Sequence, residues 1–125
     1  MRTCVSERED QTESARRRTT KRRIRKDARV RQLLRIVGRR HGVARRQLLN
    51  RRRCRKHVAF ARQLGMYLMH VALSRPYSDV GAFFGRDRTT VTHACARIED
   101  MRDDPVFDAE VALMEEMLAE LSDAL

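Results

Sequence analysis

Residues 78–101 read SDVGAFFGRDRTTVTHACARIEDM. Two short amphipathic stretches meet here at a glycine. In the first, Ser78 is placed to cap a helix over 79–84 that buries Val80 and one or both of Phe83 and Phe84. Gly85 allows a tight turn. In the second, over 87–101, Val91, Ala94, Cys95 and Ile98 fall on one face at helical spacing, while Thr89, Thr90 and His93 share an outward strip near the N-terminus. Two helices joined by a short glycine-containing turn have the spacing of a helix-turn-helix, in which the second helix enters the major groove of a duplex. The residue types suit that task. Asp87 can accept from a cytosine or adenine amino group, Arg88 can donate to guanine or to a phosphate, and the Thr89 and Thr90 methyls can meet thymine methyls. His93, one turn deeper, can donate or accept. The same residues also fit a plain helical bundle, with Asp87 as an N-cap and the threonines as ordinary first-turn residues.

Charge placement favours the first alternative. The chain has 125 residues and a net charge of +11, with 25 Arg against 3 Lys. A GC-rich genome raises arginine everywhere, so the total alone says little. The distribution says more: +5 over residues 1–28, +15 over 29–97, where Asp79 and Asp87 are the only acids, and −9 over 98–125. Codon usage cannot clear acids from one stretch and gather them in the next. A basic middle facing a polyanion and an acidic tail facing solvent or a partner account for the pattern. Aromatic residues are 5% and tryptophan is absent, so the stacking platforms of single-strand binders are scarce and a duplex is the better partner.

Working outward, residues 1–26 show no apolar period and include RRRTTKRRIRK at 16–26, which predicts a disordered basic arm. Asp27 is a plausible cap for a helix over 27–41, with Val30, Leu33, Leu34 and Val37 inward and Gly42 as its stop. A short helix over 44–49 buries Leu48 and Leu49. NRRRCRKH at 50–57 has no apolar position and reads as a loop facing solvent or ligand. A helix over about 61–73 sets Leu64, Tyr67, Leu68, Val71 and Ala72 on one face before Arg75-Pro76. The last helix starts near Asp104-Pro105 and runs through Phe107, Val111, Met114, Leu118 and Leu121. The expectation is an all-α bundle of five to six helices, with the arm at 1–26 and a DNA-binding domain over 27–123. No 18-residue apolar run suggests a membrane span, and the polar first ten residues lack the apolar core of a signal peptide. Cys4, Cys54 and Cys95 show no CxxC. A cytoplasmic, nucleoid-associated protein is expected.

GRDRTTVTHA at 85–94 resembles the GRDHTTVLHA signature of the DNA-binding C-terminal domain of the DnaA family of bacterial replication initiators. VGRRHGVARRQLL at 37–49, the basic loop at 50–57 and ARQLGMYL at 61–68 follow in the family's order. The resemblance implies double-stranded DNA as partner, with Asp87, Thr89, Thr90 and His93 at base-contacting positions and Arg62 as the arginine that enters the minor groove. It further implies backbone phosphate contacts from Arg51, Arg52, Arg53, Arg55 and Lys56, with Ser78 and Arg86 beside them. Three departures stand out. Arg88 replaces the usual His among the base readers, Ser78 replaces a groove-contacting Pro, and one Gly of the pair before Arg86 is missing, so the preferred site is expected to differ from the standard DnaA box. No GxxxxGK[ST] occurs, so a DNA-reading domain without its ATPase is expected.

Other chemistry finds little support. Cys54 and His57 are spaced CxxH, but a structural zinc needs four ligands and no second pair follows. His93 and Cys95 face different sides of a helix, and His41 and His70 suit helix flanks. Asp79 and Asp87, eight positions apart, make no acid/base pair. No catalytic residue, metal or cofactor is expected, and the chain is not expected to be an enzyme. Two rival functions are a protein that docks a partner through the acidic last helix (Glu110, Glu115, Glu116, Glu120) and a sequence-indifferent coat of nucleoid or RNA.

Overall fold

The computed structural model describes the backbone of residues 2–50 and 55–124, and the side-chain surroundings of 10–50 and 55–121. Its elements are α1 (Arg2–Arg25), α2 (Ala28–His41), α3 (Arg45–Leu48), α4 (Lys56–Val71), α5 (Tyr77–Phe84), α6 (Arg88–Met101) and α7 (Pro105–Ala124). No strand occurs among the described residues, so the all-α expectation holds. None of these helices is long and apolar enough to cross a membrane.

α4 is the axle of the bundle. Val58, Ala61, Leu64, Met66, Tyr67, Leu68 and Met69 are all buried, so this helix is apolar on several faces rather than on one stripe. α2 and α6 pack against it, and α5 and α3 close the ends. Each contributes a periodic apolar face: Val30, Leu33, Leu34 and Val37 from α2, Val80, Phe83 and Phe84 from α5, and Val91, Ala94, Cys95 and Ile98 from α6. Burying one such Leu, Val or Phe stabilises the fold by roughly 1.5–3 kcal/mol. α7 lays Val111, Met114 and Leu118 against the same core and contacts α2.

Several boundaries correct the sequence-based expectations. α2 is capped by Asp27, whose carboxylate accepts from the Arg29 amide at 2.9 Å, and it stops at Gly42. α5, however, starts one residue before Ser78, with Pro76 at its N-cap, so Ser78 is an exposed first-turn residue and not the cap. Pro76 has its ring-fixed φ of −61° there, which suits a helix entry. α4 begins at Lys56, inside the expected loop, and ends at Val71. Val71, expected to be buried, is 44% exposed.

The largest correction concerns the amino-terminal arm. Residues 2–25 form α1, and its described part packs along α5. Arg17, Thr20, Lys21 and Ile24 are the less exposed positions, spaced three and four apart as one helical face requires. Among the described residues of α1, Ile24 alone supplies a fully buried apolar side chain. A face that is three-quarters polar carries no apolar period, and here hydrogen bonds take the place of apolar contacts.

Candidate nucleic-acid interface

The α5–α6 corner is built by two glycines with different roles. Gly85 ends α5 at φ 67°, a left-handed conformation that costs a glycine little. Gly81 allows a close approach: a Cβ there would lie 2.7 Å from the Arg86 carbonyl oxygen. The Arg86 amide donates back to the Gly81 carbonyl at 2.9 Å, closing the turn. Asp87 then takes the N-cap position of α6, and its carboxylate makes no capping hydrogen bond.

From that corner the first turns of α6 project into solvent. Asp87, Arg88, Thr89, Thr90 and His93 are all exposed, whereas Val91, Ala94 and Cys95 point into the core. The five residues expected to read the major groove are thus all open to solvent at the start of α6. Burial pushes the Cys95 thiol up to about 11, so it is held as a neutral apolar group behind them. Arg97, four residues beyond His93, extends the same strip. It donates to Gln63 Oε1 at 2.9 Å and lies 5.9 Å from the centre of the Phe60 ring. Continuing the i, i+4 steps from Thr89 through His93 finds Arg97 in the sequence, although it was not singled out there.

Arg62 is placed otherwise than expected. Its side chain is only 5% exposed, and it donates from Nε to the Leu48 carbonyl (2.7 Å) and from Nη2 to the Gln47 and Asn50 carbonyls (2.9 and 3.0 Å). Held by these carbonyls at the end of α3, the guanidinium anchors the chain where the basic segment begins. Arg86 meets the same point, donating from Nη2 to the Asn50 carbonyl at 3.1 Å and from Nη1 to the Phe84 and Gly85 carbonyls at 3.3 Å. The Asn50 carbonyl thus ties the helix-turn-helix corner to the entrance of the basic segment.

Of the expected phosphate ligands, Arg55 caps α4 and is exposed, and Lys56 opens the helix with its side chain in solvent. Arg51, Arg52, Arg53 and Cys54 lie outside the described residues. No group of three metal-ligating side chains occurs among those described. His41 and His70 flank core helices: His41 packs edge-on against Phe60, and burial holds its pKa below the usual histidine value. His70 stacks on Tyr77.

The acidic end is arranged differently. Arg102 donates to Asp108 and Glu115, and also to the Tyr67 hydroxyl at 3.0 Å, while Arg40 pairs with Glu110. Burial lowers the Arg102 pKa, but its hydrogen bonds outweigh this and hold it above the ordinary arginine value. Glu116 and Glu120 face solvent.

A helix-turn-helix with an open, polar first turn on its second helix defines the class. Residues 30–98 match the family described as bacterial dnaA protein helix-turn-helix, and the chain belongs to that family. The chain is 38% identical over 97 residues to the chromosomal replication initiator protein DnaA of Agrobacterium fabrum, covering 76% of this chain and 20% of that one. It is 42% identical over 77 residues to the protein of the same name from Brucella abortus, covering 61% and 15% respectively. A match to the Bartonella quintana protein of that name is 37% identical over 97 residues, 76% of this chain and 19% of the relative. The chain thus spans about a fifth of the length of the first two relatives it matches over 97 residues.

Proposed function

We propose that this chain is a sequence-specific reader of double-stranded DNA at sites related to the DnaA box, acting in the control of replication initiation or of transcription. The observation that carries it is the exposed cluster Asp87, Arg88, Thr89, Thr90 and His93 on the first turns of α6, framed by Arg86 and Arg62 through the Asn50 carbonyl. Labour divides by chemistry. Arg51, Arg52, Arg53, Arg55, Lys56 and exposed Ser78 supply sequence-independent contacts to the backbone, and the α6 cluster reads base edges in the major groove. Arg62 and Arg86 act through the loop they hold. DNA recognition, not ATP hydrolysis, is the activity assigned to these residues, and the setting is the bacterial nucleoid.

Selection from a random duplex pool tests this directly. Wild type should recover one consensus, and Arg88→His should shift it toward the standard DnaA box, because an arginine and a histidine present different donors to the same base pair. Recovery of no consensus by either protein overturns sequence-specific reading and leaves the sequence-indifferent coat.

A further inference from the structure

Arg17 lies 64 residues before Gly81 in the chain, yet its Nη2 donates to the Gly81 carbonyl at 3.1 Å and to the Arg86 carbonyl at 2.7 Å. These two oxygens belong to the two sides of the helix-turn-helix corner. Gly81 is the α5 residue whose missing Cβ admits the Arg86 carbonyl, and Arg86 is the last residue before the N-cap of α6. Two carbonyls turned toward one point repel each other through their negative ends. A guanidinium between them removes that repulsion and fixes both peptide planes, since its planar donors demand a set direction. The Arg86 carbonyl is bonded to the Asp87 nitrogen, so its orientation sets how α6 leaves the corner. Arg17 of α1 thus touches the peptide from which Asp87, Arg88, Thr89 and Thr90 lead off.

We propose that Arg17 is a positioning residue for sequence reading: α1 is a strut that clips the recognition corner shut, and its contribution to DNA binding is selectivity rather than a direct grip on the DNA backbone. The proposal rests on the reading of α6 given above. It differs from the obvious alternative for an arginine in a basic segment, a contact to phosphate. A phosphate ligand adds affinity on every sequence and to the salt slope, whereas a clip alters the discrimination between sequences and leaves the slope alone.

The test uses the full chain with Arg17→Met, which keeps the stem and removes the donors, and Arg17→Lys, which keeps one donor group. Affinities are measured for the selected duplex and a random duplex over a salt series, with amide hydrogen exchange at Arg86 recorded without DNA. Arg17→Met should reduce the selected-to-random affinity ratio by about tenfold with an unchanged salt slope, the loss expected when a base contact is misaligned. Arg17→Lys should recover part of the ratio. The Arg86 amide should exchange about tenfold faster in Arg17→Met as the turn opens locally. An unchanged ratio overturns the proposal, as does an equal loss on both duplexes with the slope reduced by about one. If wild type itself shows no preferred sequence, the reading of α6 fails and the exchange rate alone decides whether Arg17 holds the corner. Unchanged exchange then overturns the clip as well.

Discussion

Arginines at the two ends of this molecule are held by opposite means. Around the α5–α6 corner, Arg17, Arg62 and Arg86 donate to backbone carbonyls of Gly81, Arg86, Gln47, Leu48, Asn50, Phe84 and Gly85. Against α7, Arg102 and Arg40 donate to the carboxylates of Asp108, Glu115 and Glu110. Both arrangements satisfy the guanidinium and fix its direction. Only the second cancels its charge. A carbonyl is neutral, so each arginine it holds still adds a full positive charge to the local field. The corner can be rigid and strongly basic at once, which a polyanion-binding face needs, while on the α7 side the paired arginines are neutralised and the excess of carboxylates leaves that side acidic.

Arg62→Ala should have the largest effect, because it takes the guanidinium from the Leu48 carbonyl and one donor each from the Gln47 and Asn50 carbonyls, which keep the Asn50 amide and Arg86. A loss of about 2–4 kcal/mol in urea unfolding is expected. A loss below about 1 kcal/mol, accompanied by weaker DNA binding, would return Arg62 to the role of a direct contact. Thr90→Ala should leave stability nearly unchanged and weaken the selected duplex by about 1–3 kcal/mol while sparing random duplex. On the other side, Arg102→Met should cost about 1 kcal/mol of stability, since its partners are partly solvated, and should not alter the selected-to-random ratio. A changed ratio would mean that the two ends are coupled. Arg52→Ala should weaken all duplexes alike by reducing the salt slope by about one, from a value near −5 if about six cations meet phosphates.

The smallest effect is expected at Asp27. Its burial raises the carboxyl pKa, but hydrogen bonds from Arg29 and Arg75 outweigh that, and the folded value lies below the ordinary one. The stability it adds is therefore fully present above about pH 4, the unfolded range, and is lost as pH falls through the lower folded value. Asp27→Asn should remove that acid dependence, read as a shallower fall in thermal midpoint below about pH 4.

The helix-turn-helix was legible because its apolar positions repeat cleanly, from Val80 and Phe83 across Gly85 to Val91, Ala94 and Ile98, and because the outward residues differ so sharply from the inward ones. The acidic last helix was legible for the same reason. What escaped had polar side chains doing structural jobs. Among the described residues α1 buries a face in which Ile24 is the sole large apolar side chain, and the periodic signal of an amphipathic helix needs several. Arg62 sits between Ala61 and Leu64, and nothing in that spacing tells a buried guanidinium from one that enters a groove. Lys56 and His57 looked like loop because charge runs usually are, yet a basic stretch can begin a helix when Val58 and Ala61 supply the inward face. Hydrogen bonds to distant carbonyls leave no mark in local sequence.

That choice of partner bears on how such a protein can diversify. Every residue carries a carbonyl, so the oxygens that hold Arg62 and Arg86 at positions 47, 48 and 50 survive almost any exchange of the side chains there. The clamps around the corner are blind to the identity of their neighbours. New residues can be tried at the entrance of the basic segment, and by the same logic on the outward turn of α6, without unfastening the frame that presents them. A corner pinned by carboxylates would have needed a matched acid at each point, and every such acid would have repelled the ligand.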